Sequence, residues 1–286
     1  MDDDESPPPA RVTSKMADIL IPGFITTPDV CPNDGQDIEM LIALASHPLY
    51  ATSRDRVRHT WATVGDKKTR AMVFVMGDIN PAIGEKVKEE AEKNHDIVMG
   101  KFRDINIEPY TEPVKRLAAL NWVIEHCRMA DFILIATHNE FVNPVLLKTL
   151  TKDLNPDEPA VYGLTDGNQT VVRDPNHPSY LSYVSFQGSE LPQYTSGPAF
   201  LVSRAAVGPL VEAALATNAI PLYNILLTGI AADKANVKRV HLPQLFKRAQ
   251  NIDTCDFQKF AVGHSWGKAV DLKVSEMIES AKNCAH

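Results

Sequence analysis

The stretch Asp131-Phe-Ile-Leu-Ile-Ala-Thr-His-Asn-Glu-Phe-Val-Asn-Pro144 decides how the chain is read. Its first half, Asp131–Ala136, is a short apolar run without polar alternation, the pattern of a strand buried on both faces. Pro144 then suits the first turn of a helix, where its missing N–H is no loss. Val145–Leu150 is read as that helix. A buried strand that passes through polar residues into a helix is one unit of an α/β sheet.

Working outward, the same alternation recurs. Upstream, Ile38–Leu44, Ala71–Met76 and Asp96–Met99 are read as buried strands. Between them, Arg54–Thr63 carries Val57 and Trp61 four apart, one face of a helix, and Ile83–Asn94 is a charged helix. Lys115–Cys127 places Leu117, Leu120, Ile124 and Cys127 at helical spacing, with Trp122 beside them. Downstream, residues 152–190 hold turn residues and the stretches Val171-Val172 and Tyr180–Phe186, which suit a β-hairpin. Ala199–Ser203 and Val237–Leu242 read as strands, and Arg204–Ala216 and Leu222–Asp233 as helices. The fold class is therefore α/β, a mixed sheet flanked by helices in a single domain. That domain is placed at residues 37–250. Residues 1–36, rich in acid and proline, are read as a disordered leader, and residues 251–286 as an extension packing on the domain.

The 286 residues carry 29 Lys and Arg against 36 Asp and Glu, a net charge of −7. That balance argues against a nucleic-acid partner, which needs a basic face. At 44% hydrophobic and 23% charged, the composition is that of a globular chain. No transmembrane segment is visible, and the acidic N-terminus is unlike a signal peptide. Cys31, Cys127, Cys255 and Cys284 are too far apart for a zinc ribbon or a redox pair, and leave free thiols and long-range bridges both open. Asn168-Gln-Thr170 is a glycosylation sequon. There is no dinucleotide fingerprint, P-loop or nucleophile elbow. His264-Ser-Trp266 has no acid to complete a triad and reads as a surface or core histidine.

Six blocks in order carry a resemblance. Ser53-Arg-Asp-Arg-Val-Arg-His-Thr-Trp61 is similar to R-x-x-x-R-x-T-W, and Val73-Phe-Val-Met-Gly77 to V-F-L-L-G. Lys115-Arg-Leu-Ala-Ala-Leu-Asn-Trp122 is similar to K-T-L-x-x-L-x-W, and Phe141-Val-Asn143 to the end of D-D-D-V-F-V-N. Pro192-Gln-Tyr-Thr-Ser-Gly197 is similar to P-x-Y-C-S-G, and Pro221-Leu-Tyr-Asn-Ile-Leu-Leu-Thr-Gly229 to P-x-E-D-V-x-x-T-G. The chain so resembles the β-1,3-galactosyltransferases, glycosyltransferase family 31, with their Fringe-like relatives. The resemblance implies a GT-A, Rossmann-like fold binding a UDP-sugar at the carboxyl ends of its strands. It implies inverting transfer of galactose or N-acetylhexosamine to a glycan acceptor, Mn²⁺ on the diphosphate, and residence in the Golgi lumen.

The sequence departs from the pattern where the chemistry lies. The metal-binding D-D-D is Thr137-His138-Asn139, so His138 and Asn139 stand at the metal position with donors poorer for a hard cation. The E-D pair, whose acid takes the acceptor proton, is Tyr223-Asn224, so Asn224 stands at the position of the base and cannot accept a proton at neutral pH. Arg54 and Arg58 have a use as diphosphate ligands, since a guanidinium fork matches phosphate oxygens; the plainer alternative is a solvated helix face. Two functional readings result. One is an active hexosyltransferase with unusual ligands, in which Asp166 or Asp233 replaces the base. The other is an inactive pseudo-glycosyltransferase that binds nucleotide, glycan or protein.

Overall fold

The computed structural model describes residues 14–104, 110–167, 169–247 and 256–264. In chain order, a short helix α1 (Met16–Ile19) and an edge strand β1 (Phe24–Thr26) precede β2 (Met40–Ala45). Then come α2 (Ala51–His59), β3 (Arg70–Asp78), α3 (Pro81–Asn94), β4 (Ile97–Arg103) and α4 (Thr111–His126). The opening stretch forms β5 (Phe132–Thr137), β6 (Glu140–Val142) and α5 (Pro144–Thr151). After β7 (Ala160–Asp166) come the small strands β8 (Gln169–Thr170) and β9 (Glu190–Leu191), then the long β10 (Tyr194–Ser203) and α6 (Arg204–Leu215). A π-helix over Ile225–Ala231 runs into α7 (Ala232–Lys234), followed by β11 (Lys238–His241), β12 (Phe246–Lys247), α8 (Asp256–Lys259) and β13 (Val262–His264).

The main sheet has the order β1-β4-β3-β2-β5-β10-β7-β11. Strands β4, β3, β2 and β5 are mutually parallel, β10 runs antiparallel between β5 and β7, and β11 is parallel to β7. The sheet is thus mixed, and β2, β3, β5 and β7 end on the same edge. One face packs on α1, α4, α6 and the π-helix, around Trp122, Leu210 and Leu226. The other packs on α2, α3 and α5, around Trp61, Phe74 and Leu147. Strand β2 is buried at every residue, which explains its unbroken apolar reading. This is the α/β architecture expected from the sequence, a mixed sheet flanked by helices.

Helix starts follow from local chemistry. The Asn143 side-chain oxygen accepts from the Val145 and Leu146 N–H groups at 3.1 Å, with Pro144 at the first position of α5. Asn80 caps α3 in the same way ahead of Pro81. In the π-helix the Thr228 hydroxyl donates to the Asn224 carbonyl at 2.7 Å, competing for the backbone acceptor one turn back.

Two expectations are corrected. Residues 14–36 are not a disordered leader: Met16 is fully buried, β1 pairs with β4, and Cys31 is bridged to Cys127 at the end of α4. The apolar signal of Met16–Ile21 is masked in the sequence by Pro22, Pro28 and Pro32. Residues 1–13 lie outside the described residues. Nor do Val171-Val172 and Tyr180–Phe186 form a hairpin. The strand in that region is β7, and the hairpin is only β8 with β9. In the last segment β13 pairs with β6 and β12, and residues 265–286 lie outside the described residues.

Candidate functional site

The carboxyl ends of β2, β3, β5 and β7 bring together the segments singled out in the sequence. After β2 the chain turns through Ser46–Tyr50 into α2, and Arg54 of α2 folds back under that turn. It is fully buried. Its Nε and Nη2 donate to the Glu90 carboxylate, at 2.8 Å and 2.5 Å. Nη1 donates to the His47 carbonyl at 2.6 Å and the Ser46 hydroxyl at 3.2 Å, and Nη2 reaches the Pro48 carbonyl at 3.2 Å. All five guanidinium hydrogens are so taken, and none is left for a phosphate as the side chain stands. Arg58 donates from Nε and Nη2 to Asp96 and from Nη1 to Asp55, at 2.7–2.8 Å, with Phe74 under its plane. Burial opposes its charge, but Asp96 and Glu90 outweigh that and hold it firmly protonated. Neither arginine lies on a solvated helix face: Arg54 braces the β2–α2 turn from inside, and Arg58 ties α2 to Asp96 ahead of β4.

That turn carries an aromatic ledge. The Tyr50 ring lies 5.3 Å from His47 on one side and 5.3 Å from His138 on the other. Tyr50 is 46% exposed and Leu49 60%. His138 is buried, and its Nδ1 faces the Ala45 carbonyl at 3.2 Å, so Nδ1 carries the hydrogen. Burial lowers its pKa, against the pull of Ala45 and Glu140, and keeps the ring neutral at pH 7.

Beside it, Asn139 is exposed and its N–H donates to the Thr137 hydroxyl at 3.2 Å. The following acid, Glu140, is buried, and its carboxylate accepts from the Thr137 N–H at 2.8 Å and from the Thr137 hydroxyl. It turns back onto Thr137 at the end of β5. Across the edge, the register sets His264 of β13 opposite Glu140, a placement with no signal in the sequence. For Mn²⁺ the fit is poor. Among the described residues no three His, Cys, Asp or Glu side chains come together as a metal set. The position of the acids holds an exposed amide, a neutral imidazole turned to a carbonyl, and a hydroxyl spent on Glu140.

The second degenerate motif meets the first through α4. Arg116 is buried, donates to the Glu112 carboxylate, and lies 3.6 Å over the Tyr223 ring. Glu140 acts electrostatically on both Arg116 and Tyr223, so the two motifs share one wall. Tyr223 reaches toward the Gly197 carbonyl at 3.4 Å. Burial raises its pKa, more than Arg116 lowers it, so the phenol stays protonated. Asn224 donates from Nδ2 to the carbonyls of Thr195 at 2.8 Å and Gly197 at 2.7 Å. Those carbonyls lie where β10 bulges between Ser196 and Leu201, with Gly197 at φ +89°, a left-handed turn that favours glycine. Thr195, at the family's cysteine, donates its N–H to the Thr228 hydroxyl at 2.9 Å and completes the brace. Alongside, Lys115 is buried among the Ser46 carbonyl, Asp104 and Glu112 at 2.9–3.0 Å. Of the two candidate substitute bases, Asp166 closes β7 at this edge. Asp233 lies beyond the π-helix and pairs with Arg239 at 2.9 Å, near the amino end of β11.

A separate cleft of about 780 Å³ opens at the opposite edge between the amino ends of β2, β3 and β5 and helix α5. Its rim pairs Lys148 with Glu39 at 2.7 Å. It is separate from the residues above.

A family model described as galactosyltransferase matches residues 52–243. Human beta-1,3-galactosyltransferase 9 is 28% identical over 59% of this chain, which spans 46% of that protein. Human lactosylceramide 1,3-N-acetyl-beta-D-glucosaminyltransferase is 23% identical over 84% of the chain and 68% of its own length. Beta-1,3-galactosyltransferase 5 of Pan troglodytes is 22% identical over 84% of the chain and 82% of its own length. Among solved structures, the WbbM bifunctional glycosyltransferase overlaps 91% of this chain and 50% of its own at a TM-score of 0.45 and 11% identity. The galactosyltransferase LgtC overlaps 86% and 98% at 0.41 and 12%.

Proposed function

The chain belongs to the galactosyltransferase family, and on that footing we propose that it is a β-1,3-glycosyltransferase relative that binds a uridine nucleotide and a glycan without the family's transfer chemistry. The observation that carries this reading is Asn224. Its amide donates to two carbonyl oxygens, a task no carboxylate can perform, so the position of the base serves as a structural brace. Tyr223, a protonated phenol under Arg116, offers no base either.

Uridine is assigned to the ledge of His47, Tyr50 and His138, where an exposed ring can stack a base. Arg54 serves this ligand indirectly, by fixing the turn that carries the ledge, and Arg58 by anchoring helix α2 to Asp96. The donor set at Thr137–Asn139 does not suit Mn²⁺, so no part of the reading depends on a divalent ion. A glycan with a lactosyl end is the natural acceptor-side ligand, in keeping with the name of the N-acetylglucosaminyltransferase relative. Residence in an oxidising lumen such as the Golgi is supported by the Cys31–Cys127 disulfide, since such bonds are rare in the cytosol. Among the described residues no helix is long and apolar enough to cross a membrane.

The test is transfer from UDP-galactose and UDP-N-acetylglucosamine to lactose, with Mn²⁺ supplied. The expected result is no product above a heat-treated control. Mn²⁺-dependent product from either donor would overturn the proposal and restore the active-enzyme reading.

A further inference from the structure

Between β7 and β10 the chain forms an arch that leaves the sheet after Asp166 and returns at its paired neighbour Tyr194. Both feet stand at the edge that holds the candidate site. On its inner side Val171, Leu181 and Leu191 are buried, and Phe186 packs against the same core as Tyr223. The arch is held by Arg173, whose Nη1 donates to the Leu181 carbonyl at 2.7 Å and whose Nη2 donates to the Phe186 and Gly188 carbonyls at 2.9 Å and 2.7 Å. The guanidinium fixed in this way lies 4.0 Å from the centre of the Tyr183 ring. Tyr183 is 68% exposed, more than any other large apolar side chain among the described residues.

An exposed tyrosine is ordinarily free to change rotamer. Here one face of the ring is seated on a cation that three carbonyls immobilise. The other face is a flat, oriented platform, and its ordering has been paid for before any ligand arrives. The arch that carries it is polar, with Asp174, Asn176, Gln187 and Glu190 exposed along it and Val184 its other exposed large apolar side chain. A single ring in a polar surround does not suit a protein hot spot, which needs a packed apolar rim to exclude water. It suits a ligand with one small C–H face and many hydroxyls.

We infer that Tyr183 is the stacking platform for a terminal β-galactoside on the acceptor side of the site. In such a pyranoside the axial 4-hydroxyl leaves C3–H, C4–H and C5–H together on one face, and those hydrogens are drawn to the negative face of an aromatic ring. The inference rests on the glycan-binding part of the proposed function and assigns it a residue.

The experiment is titration of the whole chain with lactose by NMR, with UDP titrated in parallel, for the parent, Tyr183→Ala and Tyr183→Phe. The ring makes no core contact, so its truncation leaves the fold intact. Tyr183→Ala should weaken lactose about tenfold, Tyr183→Phe should stay within about twofold, and UDP should bind all three alike. Lactose bound equally by parent and Tyr183→Ala would overturn the platform while leaving glycan binding in place. A parent chain that binds UDP but no lactose would overturn the platform and the glycan half of the proposed function together.

Discussion

Asn224 shows what an amide can do that a carboxylate cannot. Its Nδ2 supplies both hydrogens to carbonyls of the β10 bulge. Asn224→Asp, the substitution that would restore the family's acid, sets a carboxylate against two acceptors. It should cost about 2–4 kcal/mol of stability at neutral pH and yield no transfer. The new acid's pKa would be raised in the folded state, so its protonated form is the stabilising one. The penalty should therefore ease on acidification, and urea titrations at several pH values read this directly. A variant as stable as the parent at pH 7 would show that the brace is dispensable. Glu112 gives a test of opposite sign. Partial burial pushes its carboxyl up, but Arg116 and Lys115 prevail and hold it at about 2, against an ordinary 4.5. Its contribution is then present above about pH 4.5 and is lost as pH falls toward 2. Glu112→Gln should flatten that part of the stability curve, and an unchanged acid limb would remove the ion pair from the account.

At the scale of elements, the disulfide and the buried arginine decide what holds the site's edges. Cys31–Cys127 closes a separation of 96 residues and ties the segment carrying α1 and β1 to α4. Cys31→Ser should cost about 2–5 kcal/mol, seen as a lower thermal midpoint that reductant no longer shifts. Breaking the Arg54–Glu90 pair by Glu90→Gln should cost about 3 kcal/mol, because Arg54 is left buried and short of charge. The same variant should loosen the His47–Tyr50 turn, which faster amide exchange at Leu49 would show. Most elements were legible because burial erases polar alternation, as in β2, β3 and β5, or because a cap and proline announce a helix, as at Asn143-Pro144. Strand β7 is not legible locally because its partners, β10 across the arch and β11 beyond the π-helix, are set by pairings that no local pattern encodes. Helix α1 and strand β1 were missed because their hold comes from a cysteine partner and a sheet edge that no local pattern encodes.

Across the whole molecule, the residues singled out in the sequence gather at one edge of the sheet, but the sequence does not show how their side chains are used. The substitutions at Thr137–Asn139 and Tyr223-Asn224 were visible as lost acids. That Arg116 stacks on Tyr223, and that Glu140 acts on both, follows only from the approach of α4, β6 and the π-helix. The sequence leaves Arg54 between a diphosphate ligand and a solvated helix face because it does not reveal that Glu90, 36 residues on, fills its fork. We propose that this edge works as a unit, with cations and anions of the chain neutralising one another in place of an external ion.

That claim is tested most directly by calorimetric titration of UDP into the full chain, once with Mn²⁺ and once with a chelator. The account predicts binding of the same affinity in both, weak because Arg54 and Arg58 are already paired with Glu90 and Asp96. Binding that appears only with Mn²⁺ would contradict it and assign a metal site to this edge. No heat in either condition would contradict the nucleotide ledge itself.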